Sequence, residues 1–532
     1  MKRYYIIIAV LLMGATACTK NFEEYNTDNT GVSTGQLKPD FNDVGIYLLQ
    51  AERSIINFSG GGDPNSYQVQ QNLNADLFSG YFMSPNPFNG GKNNTNYFMM
   101  SGWNGEAFKV GYLNIMSPIS KLRTNRIDTA FPAVWAVAQI VQVAGMSRVT
   151  DIYGPIPYSR AGSSKTDLPY DSQEDVYKRF FLELDSATAN LQRFINQADT
   201  LPFSFSKFDL VYNGDFTKWL QFANSLRLRL AMHIVNKDAA TAQLQAEKAL
   251  NPSNGGVITT NAGNMQVAVG GSFTNPLVFI DRSWGDTRIG ADIACYLTGY
   301  NDPRLSAFIG KSTDKTFASQ YVGIRLGAVT SSSAKSDYIG FSALGTAFSL
   351  ETPVQIMTAA EVYFLKAEAA LRGWANAGGT AQELYNQGVT TSVAQWVPAA
   401  SVTAYLNDAT SKPADYVDPT ESANNVATKS TITVKWDDAA LFDEKLERVI
   451  TQKWIAMFPE GQEAWTENRR TGYPKLFPVA HNESAGVIPD GEIVRRLPYP
   501  QQEYNTNATE LNKGIALLGD ADDAGTYLWW NK

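Results

Sequence analysis

Histidine is almost missing from this chain: His233 and His481 are the only two among 532 residues. Histidine-based catalysis needs the imidazole held beside a nucleophile or a metal. His233, within Ala231-Met232-His233-Ile234 on an apolar helix, reads most simply as a packed or partly exposed side chain. Cysteine is equally scarce, with Cys18 and Cys295 alone. Once Cys18 is modified no internal disulfide can form, so Cys295 reads as a small buried thiol and stability must come from packing. Positive charge is in deficit, 44 Lys and Arg against 52 Asp and Glu, which disfavours nucleic-acid binding, since that needs a basic footprint. After the first eighteen residues no apolar run approaches the roughly 20 residues of a spanning helix.

What is present starts at the N-terminus. Lys2 and Arg3 supply a positive region, Ile6 to Met13 a short apolar one, and Ala15-Thr16-Ala17 small residues before Cys18. This is the pattern of an export signal ending in a lipobox. Residues 1–17 are expected to be removed as a signal peptide, leaving Cys18 as a lipid-bearing N-terminus whose several acyl chains, palmitate among them, hold a membrane far better than one chain does. Removal takes two of the 44 basic residues, Lys2 and Arg3, and leaves 42 against 52 acidic, a net charge of −10. Residues 18–40, polar with scattered Gly and Thr, read as a tether, and 41–532 as one extracytoplasmic body.

Helical periodicity dominates that body. Val134, Ala138, Val141, Gly145 and Val149 recur every three or four residues, small enough for a neighbouring helix to approach closely. A second stripe runs through Val176, Phe180, Leu184, Ala187 and Leu191, with Asp171 and Glu174 as its expected capping box. Asp215 is placed to cap the stripe Phe216, Trp219, Leu220, Ala223, Leu226 and Leu230, and Thr358 with Glu361 repeats the box before Ala360, Phe364, Ala367 and Leu371. Further helices are expected near 41–57, 104–125, 379–395 and 440–458. Consecutive antiparallel pairs of this kind predict a mainly α, tetratricopeptide-like scaffold, although no clear copy of the roughly 34-residue consensus is present. Residues 59–103 and 252–348 break the pattern: they are rich in Gly, Asn, Ser and Thr yet heavily aromatic, as binding loops are.

Several blocks resemble the SusD/RagB family of outer-membrane nutrient-binding lipoproteins. Asp151-Ile152-Tyr153-Gly154-Pro155-Ile156-Pro157-Tyr158 is similar to that family's D-x-Y-G-x-x-P-Y signature, and Asn213-Gly214-Asp215 through Ala231 resembles its next block. Asp302-Pro303-Arg304-Leu305, Ala360 to Ala369 and Arg469-Arg470-Thr471-Gly472-Tyr473-Pro474 follow in the family's order, so the likeness runs from Cys18 almost to Trp529-Trp530. The resemblance implies tetratricopeptide-like helices carrying irregular loops and small β-hairpins. It also implies a lipid-anchored, surface-exposed position on the outer membrane, capture of glycans or in some members peptides, and a partner TonB-dependent (SusC-like) transporter. The signature blocks are mostly structural and say little about ligand contacts.

A glycan offers apolar C–H faces flanked by hydroxyls, so its site wants aromatic platforms beside amide and carboxylate groups. By that logic the candidate ligand residues are Asn74, Asp76, Tyr81, Asn86, Phe88 and Tyr97 in the first loop region, and Trp284, between Arg282 and Asp286, in the second. Trp103, at a helix start, reads as core. Asp520, Asp522 and Asp523 lack EF-hand spacing and read as a solvated acidic turn. No motif calls for a metal or cofactor. The favoured function is non-enzymatic capture of glycan and its delivery to a transporter. A peptide ligand is the alternative within the family, and a glycoside hydrolase, whose paired carboxylates are a tertiary property, the less favoured alternative outside it.

Overall fold

The computed structural model describes residues 40–58, 64–162, 167–330 and 335–531; the signal peptide, Cys18 and most of the tether lie outside them. Twelve helices of eight or more residues occur among the described residues. The first, α1 (Asn42–Ser54), packs on α2 (Ser117–Thr124). Helix α3 (Pro132–Tyr153) opens with proline in its first turn, where a missing N–H costs nothing, and ends at Gly154, whose φ of +89° turns the chain. It packs against α4 (Gln173–Asn196), α4 against α5 (Phe216–His233), and α5 against α6 (Ala239–Leu250). After α7 (Ala291–Gly299), α8 (Ala359–Leu371) packs against both α9 (Ala381–Trp396) and α10 (Phe442–Met457). Helices α11 (Gly461–Thr471) and α12 (Ala508–Leu518) complete the set. The fold is mainly α with stacked helix pairs, as the periodicity predicts.

Local differences have local causes. The stretch expected as one helix over 104–125 is interrupted by a π-helical segment, Gly111–Met116. That segment lies against Gly145, where an added Cβ would come within 2.3 Å of Ile115 Cδ1, so the small residue permits the close approach read from the stripe. Helix α4 is capped by Ser172, not Asp171. Asp171 instead accepts the N–H groups of Tyr158 and Ser159 and so holds the signature loop. Thr358 caps α8 through Glu361 N, but the Glu361 carboxylate faces Arg229 rather than returning to the cap.

That Arg229–Glu361 pair belongs to a buried network in which the signature blocks meet. Arg229 Nε and Nη2 donate to Glu361 at 2.7 and 2.6 Å, and Arg470 donates to Glu368 and Glu467. His233 is fully buried, its Nδ1 3.2 Å from Asp151 Oδ2 and its Nε2 3.0 Å from Glu463 Oε1. Asp151 also accepts from Tyr177 and the Trp530 indole, joining α3, α4 and the C-terminal segment. Burial alone would lower the His233 pKa, but the Glu463 and Asp151 carboxylates outweigh it and raise it to about 9. His233, Glu463 and Glu467 lie close enough to hold a cation, but Lys453 Nζ already sits 3.5 and 3.3 Å from the two glutamates. The cluster is an ion-pair network whose charges are already matched from within.

Two other expectations resolve similarly. Cys295 is a buried free thiol. The acidic turn is more than a solvated loop: Asp522 accepts from the buried Arg496, from Tyr499 N and from Tyr504 Oη, and Asp523 caps Gly525 and Thr526.

Strands are few and short. β1 (Phe82–Met83) pairs antiparallel with β3 (Arg288–Ile289), with Phe82 opposite Ile289, and β2 (Met265–Val267) pairs with β4 (Val354–Met357). The first pair joins the two irregular regions. It needs Gly290, where a Cβ would fall 2.5 Å from Gly80 O.

Candidate functional site

The β1–β3 pair brings the start of the 84–103 loop beside the turn before Arg288, where Asn86 reaches Asp286. Asparagines hold the first of these loops together, because one amide both donates and accepts where no ladder exists. Asn93 Oδ1 accepts from Thr95 N at 2.9 Å while Asn96 Oδ1 accepts from Asn93 N at 3.1 Å. Asn94 Nδ2 donates to Asn74 Oδ1 and Asn104 Oδ1, and Asn74 Nδ2 to Val69 O at 2.7 Å.

Four of the seven side chains chosen from sequence are therefore internal. Asn74 is one of these staples, 1% exposed. Asp76, 0% exposed, accepts from Tyr67 Oη, Gln71 and Asn72; burial raises its pKa to about 6 despite those donors. Tyr81, also 0% exposed, donates its hydroxyl to Trp454 O and packs its ring 5.2 Å from both Trp454 and Phe458. Tyr97 is 4% exposed and lies edge-on to Phe78. A ring without free surface cannot stack on a sugar, so these positions build the loop instead of presenting it. Their pattern of amides and aromatics looks the same in sequence whether it faces solvent or core.

The other three converge. Asn86, Phe88 and Trp284 are half-buried. Asn86 Nδ2 donates to Asp286 Oδ1 at 3.2 Å, so this polar link stands two residues from Phe88 on one side and two from Trp284 on the other. Trp284 ends a π-helical turn, Ile280–Trp284, which Gly285 closes with φ +63°. Its ring meets Phe279 edge-on at 5.7 Å and 89°. Phe88 meets Trp103 in the same way at 5.5 Å and 89°, which makes Trp103 a half-buried backing residue rather than core. Lys335, which carries no motif, clamps the second loop by donating to Trp284 O at 2.9 Å and to Asp286 Oδ1. Beneath it Arg288 Nη1 pairs with Asp281 at 3.0 Å; burial raises the Asp281 pKa to about 6 while Arg288 opposes the shift. Each loop thus carries one braced aromatic ring within two residues of a shared amide, carboxylate and ammonium cluster, a set of groups that suits a ligand with apolar faces and hydroxyl edges. Beside the short helix carrying Trp103, Ser101 and Gly102 border a cleft of about 430 Å³ floored by Phe108 and Pro500.

A stacked-helix scaffold carrying long, loop-built segments joined by short strand pairs defines the class. The chain matches the SusD-like family, described as SusD and RagB outer membrane lipoproteins, over residues 24–531, and it belongs to that family. Among solved structures it is similar to a chitin-binding SusD homologue from Flavobacterium johnsoniae, at 41% identity and TM-score 0.87, covering 92% of this chain and 99% of that one. A SusD homologue from Bacteroides vulgatus is 36% identical with TM-score 0.87, covering 93% and 99%. Another from Bacteroides uniformis is 38% identical with TM-score 0.83, covering 92% and 99%. No curated protein matches the chain.

Proposed function

We propose that this protein is a surface-exposed outer-membrane lipoprotein that captures a glycan at the Phe88–Asn86–Asp286–Trp284 surface and passes it uncleaved to a TonB-dependent transporter. The observation carrying this reading is the junction of the two loops, where the Asn86–Asp286 hydrogen bond joins segments that each carry a braced aromatic ring, in a chain 41% identical to a chitin-binding relative. Chitin oligosaccharides are accordingly the first ligands to test. Cleavage would need two carboxylates flanking the bond; at this surface Asp286 is engaged by Asn86 and Lys335 and Asp281 by Arg288, which favours holding over hydrolysis.

The make-up of the body supports a separate transporter. No described helix is long and apolar enough to cross a membrane, and the described strands have two to four residues, against about 9–11 for a spanning barrel strand. A separate channel is the reading that fits these elements, with a docking interface above roughly 1,600 Å² expected. The functional test is incubation of pure protein with an oligosaccharide panel: retention without new reducing ends supports capture, and turnover supports the hydrolase.

A further inference from the structure

A second pocket lies on the helical scaffold, away from the loops. Helix α3 is buried along nearly all its length. Its half-buried positions Trp135, Gln139 and Gln142 fall at i, i+4 and i+7, which places them on one face. On α4, Arg179, Glu183 and Ser186 repeat that spacing, and α2 adds Ser120 and Arg123. The three stripes converge, with Asp128 from the short helix Ile127–Ala130, around a cavity of about 270 Å³. The recess they line is open to solvent on one side, where Arg123, Arg179 and Ser186 are exposed, and closes inward on Trp135, Gln139 and Glu183.

Some of the groups in this pocket are paired and others are not. Glu183 is satisfied, accepting from Tyr158 Oη at 2.5 Å and from Arg179 Nε at 3.1 Å. By contrast the side chains of Arg123, Asp128, Trp135 and Gln139 have no hydrogen-bond or ion-pair partner among the described residues, and Asp128 Oδ1 and Gln139 Oε1 are buried without one. Among the described residues Asp128 is the only aspartate with a buried carboxylate oxygen that lacks a partner, whereas Asp76 accepts three hydrogen bonds. Polar groups left unpaired in a recess are costly, and a ligand that supplies hydroxyl donors and acceptors removes that cost. Cations and carboxylates are balanced, two of each, so a neutral polyol fits better than an ion, and the half-buried indole of Trp135 supplies an apolar plate.

We propose that this pocket is a second saccharide site, accepting one sugar unit between Trp135 and the Arg123, Asp128 and Gln139 side chains. The proposal rests on the glycan reading above but concerns a different place in the fold. The test is calorimetric titration of the full chain with chitin-derived hexasaccharide and with N-acetylglucosamine. The wild type should show two saturable events. Trp284→Ala should weaken one about fivefold, and adding Arg123→Ala with Gln139→Ala should weaken the other by about tenfold, the effect of losing one charge-assisted hydrogen bond. Arg123 is exposed and Gln139 partly so, and an unchanged melting temperature verifies folding; Trp135→Phe gives an independent variant that keeps an aromatic ring. A single event in the wild type, or a second event that the Arg123 and Gln139 changes leave intact, overturns the second site while leaving capture at the loops standing. No saccharide binding at all would remove both, and displacement by a short peptide that the sugars cannot compete with would reassign the pocket.

Discussion

Asn86 and Asp286 stand 200 residues apart in sequence and are joined by a 3.2 Å hydrogen bond. That contact, with the Lys335 clamp on Asp286 and the β1–β3 pair beneath, makes one surface of two irregular segments. Asp286→Ala should release both Asn86 and Lys335 and weaken glycan binding by about tenfold, as expected for loss of a charge-assisted contact. Because Asp286 is only half-buried, its melting temperature should change little. Equal affinity in the variant, measured by calorimetry, would show that the link is not used in recognition.

Trp284→Ala and Tyr81→Ala should separate cleanly. Loss of stacking at Trp284 should cost binding on the order of 1 kcal/mol with stability nearly unchanged. Tyr81, wedged between Trp454 and Phe458, should lose about 3–5 kcal/mol of stability when truncated. Thermal melts alongside titrations read both effects, and a stable Tyr81→Ala variant with impaired binding would contradict the burial.

Stability should fall between about pH 7 and pH 9. His233 has an ordinary pKa of 6.5 and a folded one of about 9, so its contribution is complete below 6.5 and is lost as pH rises through 9. The loss is at most about 3 kcal/mol. Asp76 and Asp292, raised by burial to about 6 and about 7, and Glu52, held well above the usual carboxylate range by burial, add declines of the same sign, so the share of His233 is read by comparison with a variant. Denaturant midpoints across this range should flatten in a His233→Gln variant; a slope of the same size there would assign it to another group.

Removing one member of the buried network should be worse than removing a surface ion pair. Glu463→Gln strips a charge facing His233, Arg229 and Lys453 and should cost about 3–5 kcal/mol. Lys178→Ala, which breaks an exposed pair with Glu174, should cost under about 1 kcal/mol. Comparable losses in urea unfolding would contradict the network's structural role.

Anchoring and partnership are tested in the cell envelope. Cys18→Ala should move the protein out of the membrane fraction, because the described residues contain no helix able to hold it in lipid. Mild extraction of the unaltered protein should recover a β-barrel transporter. Membrane retention of the variant in a strain without that transporter would argue against the lipid anchor.

Much of this architecture was legible because periodicity reports burial directly. The stripes of α3, α4 and α5 and the cap at Asp215 stand where the sequence places them. Polar positions were harder. His233, Glu361 and Glu463 sit on helices whose apolar neighbours hide that three distant segments share one charge network, a tertiary fact without local signature. The loops failed in the opposite direction: Asn74 and Tyr81 have the composition of a sugar site but serve as staple and core. Pairing of Phe82–Met83 with Arg288–Ile289 and the Asn86–Asp286 contact selected Asn86, Phe88 and Trp284 from the same candidates, and brought in Lys335, which no spacing rule marks.

The most direct test of capture at the loop junction is titration of the wild type and Trp284→Ala with chitin-derived hexasaccharide, followed by assay of the same samples for new reducing ends. The account predicts saturable binding by the wild type, weaker binding by the variant at unchanged melting temperature, and no new reducing ends from either. Reducing ends that accumulate with time, or wild-type affinity in the Trp284 variant, would contradict it.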